Sequence, residues 1–521
     1  MAPQNHGLWR RSLKLFELAS FTLTVIKPLN NPLDVLFVSP DSSAKAYQKL
    51  AKKYAAIETP TWALLLAEAC RCNGFEAAIL DVGAEGLSLE ESVQRIDESN
   101  PRLVCLTVYG QNPNSGATNM IGALGLAKAL KESCPEYKIA IVGSYVNALP
   151  LEVLSEDSID YVLLNEGVYA VQNLLRSNLD DEVEKVKGIG YKLNGRLWLT
   201  PPEPLVPHDR MDVDLPGYAW DLLPYDRRPL DLYRAHFWHA EFDHSKRTPF
   251  AAIYTSLGDS SSRSRNMRFW SPDFITKEFE KLSKMGVGPL RISDEIFFLD
   301  KRFFAPLLNN LIDRELPLRI WANSHIDTVR PEHLNLFKRA GINWLALDIE
   351  TDNQGICREG PKGSFKYINI RDVTNEIRKA GLNIIANYKY GLPNDTKHTM
   401  KQTLELALDL NTEMANMAPC QALPGSTLYH EARQNGWALP DSYEGYSFLS
   451  YESQPLPTKY LSADEVLCFR DQAWKTYFTN PAYLRLIEQR FGRAQRMNVE
   501  DMSKVPLRRE IIEARYMCEA I

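Results

Sequence analysis

Short apolar runs alternate with longer amphipathic stretches through most of this chain, and they do so in two series. Few folds satisfy that pattern. A strand followed by a helix and another strand must cross over its own sheet, which makes neighbouring strands parallel and covers the sheet with helices. The first series contains 34-DVLFVSP-40, 77-AAILDVG-83, 102-RLVCLTVYG-110, 138-KIAIVGS-144 and 159-IDYVLLNEG-167. Helices are expected over 60–74, 88–99, 119–133 and 150–157, the first stopping at Gly74 as a C-cap. This predicts an α/β domain with a doubly wound parallel sheet, Rossmann-like in outline. The second series has strand candidates at 250–256, 289–293, 317–323, 344–350, 383–391 and 414–420. Helices are expected near 272–286, 301–313, 331–340, 369–380 and 397–410. Six such units predict an open, partial (β/α)6 barrel. Between the series, residues 200–230 hold seven prolines and little periodicity, which marks a domain connection. The resulting division is 1–32 as an N-terminal extension and 33–200 as the first α/β domain. A Pro-rich linker at 201–247, a barrel at 248–440 and a mostly helical C-terminal region at 441–521 complete it.

Composition excludes several function classes. The chain has 521 residues, is 45% hydrophobic and 24% charged, and carries a net charge of −6. These values suit a globular protein and disfavour nucleic acid or an anionic membrane as partner. No apolar run is long enough to span a bilayer. The first residues carry basic groups and a broken apolar run containing Glu17, and read as an extra helix or strand. The eight cysteines are scattered, so the chain reads as cytoplasmic and reduced, without a disulfide framework. The stretch 236-HFWHAEFDH-244 is rich in donors, but its spacings match no standard metal site, and no metal site is assigned.

In both architectures ligands gather at the carboxyl ends of the strands. In the first series those ends are 109-YGQNPNSGATN-119, 143-GSYVNALP-150 and 165-NEGVYA-170, all rich in small and amide residues. No GxGxxG is present, which argues against a dinucleotide site. In the second series they read 293-SDE-295, 323-NSHID-327, 348-DIET-351, 388-YKYGLP-393 and 419-PCQALPGS-426. Polar groups recur there as a convergent site requires. Glu295, Glu350, Asp327, Tyr388 and Lys389 are the candidates for substrate positioning or acid–base work.

The order of elements, with PTWALLLAEACRCNGFEAAILD, VYGQNPNSGATNM, VGSYVNALP and IDYVLLNEG, resembles the cobalamin-binding domain that precedes many radical-SAM catalytic domains. TSLG after the first barrel strand, Asp294-Glu295, Ile349-Glu350, YGLPNDT and LPGSTLY resemble the radical-SAM domain of the methyltransferase-like subgroup, as does the tail at 445–484. The resemblance implies that Tyr109, Gly110, Gln111, Asn112, Ser115, Gly143, Ser144, Tyr145, Asn147, Glu166 and Gly167 surround cobalamin. It implies that Ser293, Asp294, Glu295, Asn323, His325, Glu350, Arg263 and Arg265 face S-adenosylmethionine (SAM) or a small-molecule substrate. Like many such domains, the chain lacks an Asp-x-His-x-x-Gly. It has Gly143-Ser144-Tyr145 where the family shows Gly-Gly-His, and Asn165-Glu166-Gly167 where it shows Gly-Glu-Gly.

One departure is larger. The family holds a [4Fe–4S] cluster on three thiolates of a CxxxCxxC loop directly after the first barrel strand. The matching positions here are Asp259, Arg263 and Asn266. Alternatively, SRSRNMRFWSP aligns with the segment beyond that loop, and the cysteine-bearing segment is deleted. Either way no cluster is expected. The loop is instead cationic, with Arg263, Arg265 and Arg268, and reads either as an anion holder or as a solvated serine–arginine loop. Three functions are therefore compatible with the sequence. One is cobalamin-dependent methyl or other group transfer to a small molecule without the usual cluster. Another is a pseudoenzyme that binds a ligand or an active paralogue. The third is an ordinary radical-SAM methyltransferase whose cluster loop is missing from this chain.

Overall fold

The first sheet is built from β1 (Val35–Ser39), β2 (Ala77–Asp81), β3 (Leu103–Thr107), β4 (Ile139–Val142) and β5 (Tyr161–Leu163). All five run parallel, in the order β2-β1-β3-β4-β5. Every residue of β3 and β4 is buried, the signature of a sheet covered on both faces. The strand order reverses between β1 and β3, the switch point where ligands of doubly wound sheets sit. The computed structural model describes residues 33–109, 113–180, 182–224, 230, 232–234, 249–258, 267–350 and 369–519. The chain separates into residues 1–31 and 32–521, and the described residues all belong to the second unit.

The strand–helix alternation predicts a purely parallel sheet, and the sheet is instead mixed. Two antiparallel strands, β6 (Ile189–Leu193) and β7 (Arg196–Leu199), extend it beyond β5. Asn194 and Gly195 turn the hairpin with φ of 52° and 73°, the left-handed pair that matches strand twist. The Asn-Gly between two apolar runs was the available signal for it. The helix Pro113–Ser133 also begins earlier than the expected 119, because a proline suits the first helical turn. By contrast, the helix Leu89–Ser99 starts where its Ser88/Glu91 capping box places it.

The second sheet contains β8 (Ala251–Ile253), β11 (Pro289–Ile292), β12 (Arg319–His325), β13 (Ile342–Glu350), β14 (Asn383–Tyr390) and β15 (Met414–Pro419). All are parallel and lie side by side in chain order, forming an open half-barrel. Between β8 and β11 a two-stranded antiparallel ladder joins β9 (Ser256–Leu257) to β10 (Arg268–Phe269). It brackets the serine–arginine loop, of which residues 259–266 lie outside the described residues. RFWSP therefore pairs back onto TSL before its helix, Pro272–Lys284, begins.

The described part of the proline-rich connection, up to Pro224, is a packed strap rather than a loose linker. Val206, Met211, Leu215, Tyr218, Trp220 and Leu223 are all buried, and Trp220 Nε1 donates to Glu278 at 2.9 Å. Prolines break the periodicity that would have revealed these apolar residues as core. One hydrophobic cluster accordingly runs from the helix Thr61–Arg71 through the strap into the half-barrel. On the open edge of β8, the Thr59 hydroxyl bonds both Ala252 N and Ala252 O, at 3.0 and 3.1 Å. The C-terminal region closes the assembly: Arg470 Nε donates to Met417 O, and the Ser447 hydroxyl donates to Ala46 O in the first domain. Among the described residues no helix is long and apolar enough to cross a membrane.

Candidate functional site at the meeting of two sheet ends

Three contacts bring the carboxyl ends of the two sheets together. The Tyr109 ring, just past β3, stacks on Trp62 with centroids 4.2 Å apart, and Trp62 touches Tyr254, just past β8, at 6.3 Å. A Cβ on Gly425, after β15, would lie 2.9 Å from Ala148 Cβ, after β4. The third is ionic. Arg268 of β10 reaches Glu166, after β5, with Nη2–Oε1 at 2.5 Å and Nη1–Oε2 at 3.0 Å. Both side chains are about nine-tenths buried, and Val206 of the strap satisfies each from its backbone.

At the first sheet, uncharged groups converge. The Tyr109 hydroxyl donates to Asn165 O at 2.8 Å, and Asn147 Nδ2 donates to the same oxygen at 2.6 Å. Asn165 and Gly167 have φ of 56° and 76°, so the Gly-to-Asn departure preserves the backbone: asparagine is among the few residues that accept this region. Gly143 is required for a different reason, since its Cβ would lie 2.4 Å from Val108 Cγ2. Ser144, at the start of its short helix, stands over Gly116, where a Cβ would lie 2.2 Å from the Ser144 hydroxyl. Two further expected cobalamin contacts, like Tyr109 and Asn147, are engaged within the protein itself. Glu166 is held by Arg268, and the Tyr145 ring packs edge-on against Tyr443 and Tyr446 while its hydroxyl bonds Glu152. Gly110, Gln111 and Asn112 lie outside the described residues, as does the side chain of Ser115.

At the half-barrel, Asp294 is a clamp. Its carboxylate accepts Thr255 N at 2.7 Å and the hydroxyls of Thr255 and Ser256 at 2.6 Å each, all from the segment just past β8. Burial raises its pKa and these bonds oppose the rise. Asn323 Nδ2 braces the same turn through Ile292 O and Asp294 O. The Ser293 hydroxyl is buried without a hydrogen-bond partner among the described residues, and Glu295 is exposed. Deeper in the sheet, the register aligns His325, Asp348, Asn387 and Asn416 across β12 to β15. Asn416 Nδ2 donates to Asn387 Oδ1 at 2.8 Å, Asn387 Nδ2 donates to Asp348 Oδ1 at 3.0 Å, and His325 Nε2 lies 4.0 Å from Asp348 Oδ2. Asn387 and Asn416 were not singled out in the sequence, because each is a lone polar residue inside a strand.

Alternation along β14 separates two of the expected catalytic residues. Lys389 falls on the face of Asn387, whereas Tyr388 falls on the opposite face, beside Tyr477 and Arg378 of the covering helices. There its hydroxyl is buried without a hydrogen-bond partner among the described residues, and burial drives its pKa well up. The structure thus places Tyr388 away from the concave site. Asp327 is half-buried in the turn after β12. The Glu350 side chain, Arg263, Arg265 and the stretch 236–244 lie outside the described residues. A cleft of about 590 Å³ among the C-terminal helices, lined by Trp474, Phe478 and Leu507, includes none of these residues.

The donor sets fit the family's cofactors unequally. Neutral amide and hydroxyl groups over closely packed glycine backbone suit the amide-fringed corrin of cobalamin. For SAM, Asp294 has its acceptors engaged, which leaves the exposed Glu295 as the other acid of that turn. For a [4Fe–4S] cluster the residues do not fit, since no cysteine occurs between β9 and β10.

Residues 47–175 match the family model of the B12 binding domain. An uncharacterized methyltransferase of Pyrococcus horikoshii is 22% identical over 422 residues, covering 78% of this chain and 85% of its own. The anaerobic magnesium-protoporphyrin IX monomethyl ester cyclase of Rubrivivax gelatinosus is 24% identical over 468 residues, covering 87% and 78%. Among solved structures, the radical SAM methyltransferase TsrM of Kitasatospora setae, with cobalamin and [4Fe-4S] cluster bound, superposes with a TM-score of 0.62 at 15% identity. It covers 86% of this chain and 89% of its own. The cobalamin-dependent SAM radical enzyme OxsB gives 0.62 at 12% identity, covering 90% and 70%. This chain therefore carries a B12-binding domain joined to a half-barrel, in the fold of the cobalamin-dependent radical SAM methyltransferases.

Proposed function

We propose that this protein is a cobalamin-dependent enzyme that transfers a methyl or other group to a small molecule without a cluster on the loop between β9 and β10. The observation that carries this reading is the meeting of the two carboxyl ends through Trp62, Tyr109 and Tyr254, with Glu166–Arg268 fixing their relation. Bound cobalamin supplies a cobalt centre able to carry a methyl group. Tyr109, Ser144 and Asn147 hold and orient it, while Glu295, Asp327 and Lys389 position substrate or move protons at the barrel rim. The row of Asp348, Asn387 and Asn416 orients polar substrate atoms below that rim. The test is anaerobic purification after cobalamin and iron supplementation, with cobalt, iron and sulfide assays and a visible spectrum. Cobalt near one per chain without iron is expected. About four irons per chain would overturn the clusterless reading.

A second reading is a regulatory pseudoenzyme that binds a ligand or an active paralogue. It is favoured by the engagement of Asp294 and Glu166 in purely structural bonds. Neither cobalt nor iron in the supplemented protein would select it.

A further inference from the structure

Exposed apolar side chains are concentrated at one place. Among the described residues, Leu193 (45% exposed), Leu197 (37%), Trp198 (46%) and Leu199 (41%) lie on the hairpin β6–β7, and Leu151 (48%) lies on the helix Pro150–Ser155 beside it. All four residues of β7 are exposed, and β7 is the outer strand of the first sheet. Leu199 leans over Gly190 on the same side as Leu154, so Leu197 and Leu199 extend the apolar face of that helix, and Trp198 points to the other face. No lysine or proline interrupts Arg196–Leu199 to blunt the edge.

The backbone is equally open. Thr200 N bonds Ile189 O, and the register pairs Trp198 with Tyr191 and Arg196 with Leu193. Narrow and wide pairs alternate in an antiparallel ladder, so the N–H and C=O of Leu197 and Leu199 point outward. Two donors and two acceptors in that order are self-complementary only under a two-fold axis. A second β7, antiparallel, sets Leu197 opposite Leu199 of the other copy with four hydrogen bonds, and sets the two Trp198 rings face to face at the central close pair. We propose that this edge is a homodimer interface, formed by β7 pairing with β7 of a second copy into one continuous sheet. The five side chains offer roughly 400 Å² per copy, about half of the ~800 Å² per partner in a standard stable interface. A contact of that size makes the dimer a weak, reversible one.

Sedimentation velocity of the full chain from roughly 1 to 100 μM tests this, with hydrogen exchange at low and high concentration. The expected result is a rise from monomer to dimer mass with protection appearing at the Leu197 and Leu199 amides. Trp198→Glu and Leu199→Glu, both at exposed positions, should weaken the dimer at least tenfold with unchanged circular dichroism. Met497→Glu, exposed elsewhere, should leave it intact. A chain that stays monomeric throughout overturns the proposal, as does a dimer indifferent to Trp198→Glu. Protection of the two amides in the monomer also overturns it, because another segment of the chain would then cover the edge.

Discussion

Replacing Arg268 by methionine removes the cation from a buried pair and leaves Glu166 charged where both side chains are about 9% exposed. The guanidinium also donates to Val206 O at 2.8 Å, and that carbonyl then loses its donor. A buried pair broken on one side costs about 3–5 kcal/mol, most of it from the stranded charge. Glu166→Gln strands the arginine instead, although the amide still accepts from Val206 N, bonded at 2.9 Å in the wild type. The double variant strands neither charge, so its loss should be smaller than that of Arg268→Met alone, and the coupling should exceed about 1 kcal/mol. The strap, β10 and the β5-end loop meet at this pair, so the damage is local to the junction. Differential scanning fluorimetry should show the first transition falling by several degrees for Arg268→Met and recovering partly in the double variant. Hydrogen exchange should rise at the Val206 amide, which donates to Glu166. Additive single effects, or an Arg268→Met transition within about 1 °C of wild type, would refute the view that this pair fixes the junction.

Further variants probe single buried groups. Asp294→Ala leaves three donors from Thr255 and Ser256 without their acceptor; at about 1–3 kcal/mol for each buried group, the loss should exceed 3 kcal/mol, read by urea denaturation. Tyr388→Phe deletes a buried hydroxyl that has no hydrogen-bond partner among the described residues, so stability should hold or improve slightly and cobalamin retention should be unchanged. A large loss of bound cobalamin would return Tyr388 to the site. Burial raises the Asp81 carboxyl to about 7, against bonds from Ala84 N and the Tyr233 hydroxyl. The folded state thus holds this proton more tightly than the unfolded chain, so its contribution is complete below about pH 4 and is lost as pH rises towards 7, by up to ~4 kcal/mol. Asp81→Asn should flatten stability between those limits, and an unchanged pH profile would contradict the burial argument.

The two α/β series, the six half-barrel strands and the carboxyl-end loops were legible from residues alone, because hydrophobic runs and capping signals are local. The β6–β7 hairpin was legible in principle from Asn194-Gly195 but was hidden by the expectation of an unbroken parallel sheet. The strap was not, since its buried residues sit among prolines without a period.

By itself, then, the sequence determined the two layered sheets, their order along the chain and the absence of cysteine from the loop after the first half-barrel strand. Only the tertiary structure decided which polar residues share a face. Strands buried on both sides carry no polar–apolar alternation, so nothing local says which face, that of Asn387 and Lys389 or that of Tyr388, looks into the site rather than towards Tyr477. Register, including the shift between Ile320 and Trp321, aligns the row from His325 to Asn416. The junction is the clearest case: Glu166 and Arg268 are 102 residues apart, and the sequence sets one beside cobalamin and the other in a cationic loop, with nothing to pair them. Burial of both against the strap, a property of the folded whole, makes them one element.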